Sequence, residues 1–339
     1  MGLSANWNSG IGVIDGNLTS VKRLPRFSRT LHSHSTAHPK TSAPGKLRAM
    51  AMSTLATGMI LVSCTSAPAV ETQPVGVNET TLTIMESGEG QKARVRWSDD
   101  GADQDVSVIV TQGFVQKSDN GQGDQTFPDT RLELPLSAAV SSGQDVRAIT
   151  TEVGTPHGSN ATLNEDIATA EGFLVESSAT ATGATTELAF GAPESSTDTA
   201  RAGVEAALRQ LHNIPVVFPE EEIGVGATWT VESTVDDYTE LAQKVTYTLV
   251  GRTGDVVDLK VAVEQVPALT ELDTGGETAL KVIESKTNML ADSLQVDLTK
   301  PLPVAGRVNF VNTVTYGDGT SDVRITQQTH RGIEFKTTA

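Results

Sequence analysis

Alternation of apolar and polar side chains is the feature that most restricts this chain. Val245, Tyr247 and Leu249 alternate with Lys244, Thr246 and Thr248, and Val257, Leu259, Val261 and Val263 alternate with Asp258, Lys260, Ala262 and Glu264. A side-chain period of two belongs to extended backbone with one face buried and the other wet. Gly251-Arg252-Thr253-Gly254 lies between the two runs and supplies a turn, so the segment reads as a β-hairpin. A second hairpin reads over 307–329. There Val308, Phe310, Val314 and Tyr316 share a face, Gly317-Asp318-Gly319 turns the chain, and Val323 and Ile325 return. Further strand candidates are 93–97, 106–115, 132–136 and 146–153. Short strands with Gly, Asp and Asn turns fit curved antiparallel sheets better than βαβ units. The expected fold is mainly β within the α+β class, a sandwich or half-barrel.

One segment changes period. Over 199–212, Val204, Ala207, Leu208 and Leu211 fall at i, i+3, i+4 and i+7, the stripe of an amphipathic helix. Ser196, Thr197 or Asp198 can cap it, and Asn213-Ile214-Pro215 ends it. A lone helix has to bury its stripe, and the concave face of a curved sheet is the natural partner. Residues 152–192 are rich in Ser, Thr, Ala and Gly, and their pattern places no strand. The stretch Trp97-Ser98-Asp99-Asp100-Gly101 leading to Asp105-Val106-Ser107-Val108 faintly echoes the later Asp255-Val256-Val257-Asp258-Leu259. That echo suggests two related lobes split near 195–215.

Cys64 is the only cysteine, and it closes the tetrapeptide Leu61-Val62-Ser63-Cys64. Lys46 and Arg48 precede a short apolar run over 50–60 (MAMSTLATGMI). A basic region, an apolar core and small residues at the cut make an export signal, and the core is well short of the ~20 residues that a spanning helix needs. Ending in cysteine, the box has the form of a bacterial lipobox, where diacylglycerol joins the sulfur, the chain is cut before it and the new amino group is acylated. Composition changes across it. Residues 1–63 hold seven basic side chains against Asp15, whereas the rest of the chain holds 18 basic and 41 acidic ones, net −23. The expected organisation is a leader and signal peptide over 1–63, a lipidated tether over 64–78 and a β-rich extracytoplasmic domain over 79–339. The leader is overlong, and a start near Leu47 would make Arg48 the n-region charge. With Cys64 acylated, no thiol remains for a disulfide or a metal, so stability has to come from a packed core.

Ile214-Pro215-Val216-Val217-Phe218-Pro219 leads through three glutamates to Ile223-Gly224-Val225-Gly226-Ala227-Thr228-Trp229, with Tyr247-Thr248-Leu249 and Asp297-Leu298-Thr299-Lys300-Pro301-Leu302-Pro303 further on. This order, an Ile/Val-Gly-x-Gly-x-x-Trp motif after a proline-containing lead-in, resembles a family of uncharacterised bacterial lipoproteins, a domain of unknown function common in high-GC Gram-positive bacteria. The resemblance covers roughly 80–335 and implies no activity and no site residues. The motif also has a physical reading, in which two glycines permit a tight turn and Trp229 anchors the strand that follows. Its alternative is a ligand rim formed by Gly224, Gly226 and Trp229.

Little else points to chemistry. His157, His212 and His330 are isolated and lack metal-ligand spacing, which reads as surface or capping use. The acids at Asp99-Asp100, Asp103, Asp105, Asp119, Asp124, Glu220–Glu222 and Asp236-Asp237 lack the spacing of a calcium loop. They read as solvated turn acids, with weak loop-bound Ca²⁺ as an alternative. No cofactor is expected beyond the acyl groups on Cys64, and a strongly negative domain disfavours nucleic acid as a partner. The function expected is a non-enzymatic lipoprotein on the outer face of the cell membrane, binding an apolar envelope molecule. The alternatives are a protein-interaction scaffold of the envelope and a carboxylate-dependent hydrolase. Replacing Cys64→Ser should release the domain from membranes or leave it unprocessed; unchanged membrane fractionation of the variant would overturn the lipobox assignment.

Overall fold

The computed structural model describes residues 70–99, 103–119, 124–142, 146–236, 240–272, 280–319 and 323–337. The leader, the lipobox with Cys64 and the start of the tether lie outside the described residues. The chain runs β1 (Gln73–Pro74), β2 (Thr81–Glu86), β3 (Glu89–Ala93), β4 (Gln104–Ser118), β5 (Gln125–Ser142), β6 (Val146–Val153), β7 (His157–Gly158), the one-turn helix α1 (Asn164–Ile167), β8 (Leu174–Thr180), β9 (Thr185–Gly191) and α2 (Asp198–His212). It continues through β10 (Ile223–Val225), β11 (Thr228–Asp236), β12 (Glu240–Thr253), β13 (Val256–Pro267), β14 (Glu271–Leu272), β15 (Leu280–Asp297), β16 (Ala305–Gly317) and β17 (Arg324–Thr337). Strand accounts for 63% and helix for 10%, which makes the fold mainly β with a large antiparallel sheet that does not close.

The sheet order is β1-β9-β8-β6-β5-β4-β17-β16-β15-β13-β12-β11-β2, with β10 and β3 paired apart from it. From β4 the chain works outward, neighbour to neighbour, to β9 near one edge. Helix α2 then carries it across to the other side, and from β11 it works inward until β17 pairs with β4. Residues before and after 195–215 therefore share one sheet and one core cluster. The sheet also curls. Strands β8 and β15 are six neighbours apart, roughly 29 Å in a flat sheet, yet Val175 of β8 and Leu294 of β15 line one cavity.

The hairpins form as the alternation predicts. Val245, Tyr247 and Leu249 of β12 face Val263, Val261 and Leu259 of β13, all buried. The strands extend further than the glycine-bounded turn suggested. A bulge between Leu249 and Gly251 absorbs the first glycine, and Gly254 (φ +62°) makes the turn. In the second hairpin Val308, Phe310, Val314 and Tyr316 are buried on one face. Helix α2 begins on Thr197, whose hydroxyl accepts from Ala200 N, and buries Ala200, Val204, Ala207 and Leu208. Buried Gln210 ties it to the sheet, donating to Thr111 O at 3.1 Å and Gly332 O at 2.9 Å, register partners across the β4–β17 seam.

Two expectations need correction. Strand β3 ends at Ala93, and 94–97 form a strap whose Val95 and Trp97 point inward without a ladder of their own. Two inward residues two apart imitate a strand pattern. Residues 70–78, read as the end of the tether, lie along β9: Gln73 pairs with Phe190, Pro74 with Ala189, and Val75 and Val77 pack on the core. A two-residue pairing is too short to leave a period in the sequence.

Helix α2 offers paired substitutions with opposite signs. Gly203 is exposed and has open space around it, so Gly203→Ala should raise stability by about 0.5–1 kcal/mol. Leu208 is fully buried, so Leu208→Ala should lower it by about 2–5 kcal/mol. Urea denaturation checks both; equal effects would mean that the helix does not face the core through Leu208.

Candidate functional site

The site grows out of the end of α2. After His212 the chain turns at Asn213 and Ile214 and runs on without regular secondary structure to Phe218 against the inner face, a stretch held by its carbonyls. Gln243 Nε2 donates to Asn213 O (2.6 Å), Tyr247 Oη to Pro215 O (2.8 Å) and Trp229 Nε1 to Val217 O (2.7 Å). Burial pushes the Tyr247 phenol well above its usual pKa, so it stays a donor. Trp97, Phe218, Trp229 and Tyr247 form a run of aromatic contacts with ring centroids 5.7–6.1 Å apart. The Trp of the Gly-x-Gly-x-x-Trp motif thus holds the proline-containing lead-in of the same motif.

Trp229 is fully buried, and neither it nor Gly224 nor Gly226 lines the two cavities described below. Gly224 passes so close to β3 that a Cβ would lie 2.2 Å from Glu89 O, and Gly226 has φ +84° and donates its N–H to Leu249 O. Both glycines are backbone necessities of the β10–β11 corner.

A cavity of about 110 Å³ lies between the last turn of α2, the lead-in and the inner face of the sheet. Leu208, Leu211, Ile214 and Val216 wall it on one side, and Leu136, Ile149, Val308 and Phe335 on the other. A second cavity, of about 240 Å³, is lined by Val77, Asn78, Leu188, Arg209 and Ser233 among others. Thr185, His212 and Pro215 line both and stand between them.

The polar part of the first wall is a buried ion pair. Arg147, 5% exposed, donates from Nε to Asp99 Oδ2 at 2.5 Å, and from Nη2 to Asp99 Oδ1 at 2.8 Å and Pro301 O at 3.2 Å. Its guanidinium lies 4.2 Å from the Trp97 ring centre, within cation–π range. Nη1 has no hydrogen-bond partner among the described residues, and Trp97 Nε1 is buried without one. A buried N–H left unpaired costs ~1–3 kcal/mol. Asp99 has φ +41°, a left-handed conformation that Asp tolerates better than most residues. Asp99 is therefore not the solvated turn acid that its cluster suggested. It is the buried carboxylate among the described residues, and it is committed to Arg147. The cue was present in β6, where Arg147 falls in phase with Ile149, Thr151 and Val153 on the inner face.

The histidines separate by location. His157 is exposed near Glu133, and His330 bridges Asp129 and Asn309, both at 2.6 Å. Among the described residues no three His, Cys, Asp or Glu side chains gather as a metal site, and no helix is long and apolar enough to cross a membrane. His212 faces Phe190, with ring centroids 6.3 Å apart, in the partition between the cavities.

Burial lowers the His212 pKa from 6.5 to about 4, so the folded protein holds it neutral where the unfolded chain takes up a proton. Its contribution is fully present above pH ~6.5 and is lost as the pH falls towards 4, at most about 3 kcal/mol at 1.36 kcal/mol per unit. Urea denaturation at pH 7.5 and 4.5 should show His212→Gln losing less stability than the parent over that step; identical losses would mean that the imidazole is solvated.

Comparison of the chain with protein-family models, curated proteins and solved structures gives no match, so the functional reading rests on the chain's own residues.

Proposed function

We propose that this protein is a membrane-tethered extracytoplasmic lipoprotein whose β-rich domain binds an apolar envelope molecule between α2 and the inner face of the sheet, without catalytic chemistry. The observation that carries the reading is the apolar cavity of about 110 Å³ at the end of α2. Protein interiors are close-packed with few voids, and the side chains lining an unfilled apolar space forgo the contacts that a packed neighbour would give. A guest that fills it recovers that loss. Apolar cavities of ~150 Å³ take benzene-sized guests, so the first cavity suits a single alkyl chain or one small ring. A longer molecule would continue past His212 into the second cavity. The two spaces together reach the low end of the ~300–1,000 Å³ range of small-molecule sites.

The lipobox supplies the address in this reading. Cys64 lies six residues before Val70, a link of roughly 20 Å at full extension. Gly76, Val77, Asn78 and Thr80, a few residues further on, line the second cavity. Acyl chains on Cys64 contribute ~0.8 kcal/mol per buried methylene. Membership in the uncharacterised lipoprotein family belongs to the same proposal and rests on the motif order around Trp229. A scaffold role is the second reading, supported by the exposed Met85 on edge strand β2.

Native mass spectrometry of the full chain, purified without detergent, tests the binding reading. The expected spectrum shows a co-purified apolar adduct, or uptake of octane after delipidation. A clean mass that takes up no alkane would overturn it.

A further inference from the structure

The cavity has a polar end as well as an apolar body, and the donors at that end are already placed. Arg147 and Trp97 both line the cavity. Asp99 and Pro301 O occupy Nε and Nη2 of the guanidinium and leave Nη1 over. The indole Nε1 of Trp97, which is 93% buried, has no partner either. The two groups are in contact, with the guanidinium carbon 4.2 Å from the ring centre. Gly183, also on the cavity wall, has φ +104°, and a Cβ there would lie 2.2 Å from Val216 O and 2.7 Å from Trp97 Nε1, so only glycine fits where the lead-in and the indole meet.

We infer that the cavity takes a neutral alkyl compound carrying one carbonyl-class oxygen, which accepts from Arg147 Nη1 and Trp97 Nε1 while the chain lies among Leu208, Leu211 and Ile149. This rests on the binding reading above and adds the ligand's chemical class. Charge decides between classes of oxygen. Arg147 and Asp99 already neutralise each other, so an ionised carboxylate or phosphate would bring an uncompensated charge into an apolar space. An alkane leaves both donors unmet. An ester, ketone or aldehyde oxygen meets them at no cost in charge.

Isothermal titration calorimetry of the full chain carrying Cys64→Ser, with octane, methyl octanoate and sodium octanoate at pH 8, tests the inference. Methyl octanoate should bind at least tenfold more tightly than either of the others. Trp97→Phe should reduce the ratio of ester to octane affinity about fivefold, with an unchanged circular dichroism spectrum and urea midpoint reporting that the domain is still folded. The doubly neutralised Asp99→Asn/Arg147→Met chain should abolish the preference. Octane binding as tightly as the ester, or octanoate binding tightest, would overturn this inference and leave the apolar-binding reading standing. No binding of any of the three overturns both.

Discussion

A sheet that curls without closing has an inner face that it cannot cover by itself, and most of this structure follows from that constraint. In a closed barrel, strands cover one another; here the β9 side and the β11 side are left as separate flanks, and the chain has to pass from one to the other. Helix α2 makes that passage across the inner face, which explains why the one long helix among the described residues falls between two runs of strands. Its stripe of Ala200, Val204, Ala207 and Leu208 contributes hydrophobic burial. Gln210 contributes position, since its amide reaches two carbonyls at the β4–β17 seam where the two halves of the chain join. A leucine there would bury comparable area and leave those carbonyls without their side-chain donor.

The Arg147–Asp99 pair sets a different requirement at the same face. Two charges taken out of water repay their desolvation only with good geometry and further hydrogen bonds. Both conditions are visible: a two-pronged contact, a third acceptor in Pro301 O and an aromatic face beneath the guanidinium. The price is a non-glycine residue in the left-handed region at Asp99. The pair also fastens the 94–99 strap, whose Ser98 and Asp99 amides donate to Leu298 O, to the strand that carries Arg147. An apolar pair of the same shape would serve stability as well. What it would not leave is a spare guanidinium N–H on the wall of an apolar space.

Period two made the hairpins of β12–β13 and β16–β17 legible, because one buried and one wet face impose alternation whatever the partner. The stripe and cap of α2 were legible for the same reason at period 3.6. The 94–97 strap read as a strand because its inward residues alternate, and residues 70–78 read as tether because a two-residue pairing has no period. Arg147 was legible in principle, as a cation in phase with Ile149 and Val153. Its partner was not, since Asp99 stands 48 residues away among acids that do face water. The Gly-x-Gly-x-x-Trp motif showed that a turn and an anchor were needed. It could not show that Trp229 holds the carbonyl of Val217, a contact that exists only once β11 lies beneath the lead-in.

The position of the cavity follows from where its helical cover ends. The 15-residue helix spans roughly 22 Å. Beyond His212 the cover becomes an irregular segment that is fixed through the Asn213, Pro215 and Val217 carbonyls rather than through a continuous apolar stripe. Interdigitated packing needs side chains at close, regular spacing on both partners, and at this change from helix to irregular chain the spacing breaks. The void forms at that junction, walled by Leu208 and Leu211 from the helix and by Ile214 and Val216 from the segment after it. Trp229, Tyr247 and Gln243 hold the segment in place from below, so the void cannot collapse by letting the chain sag into it.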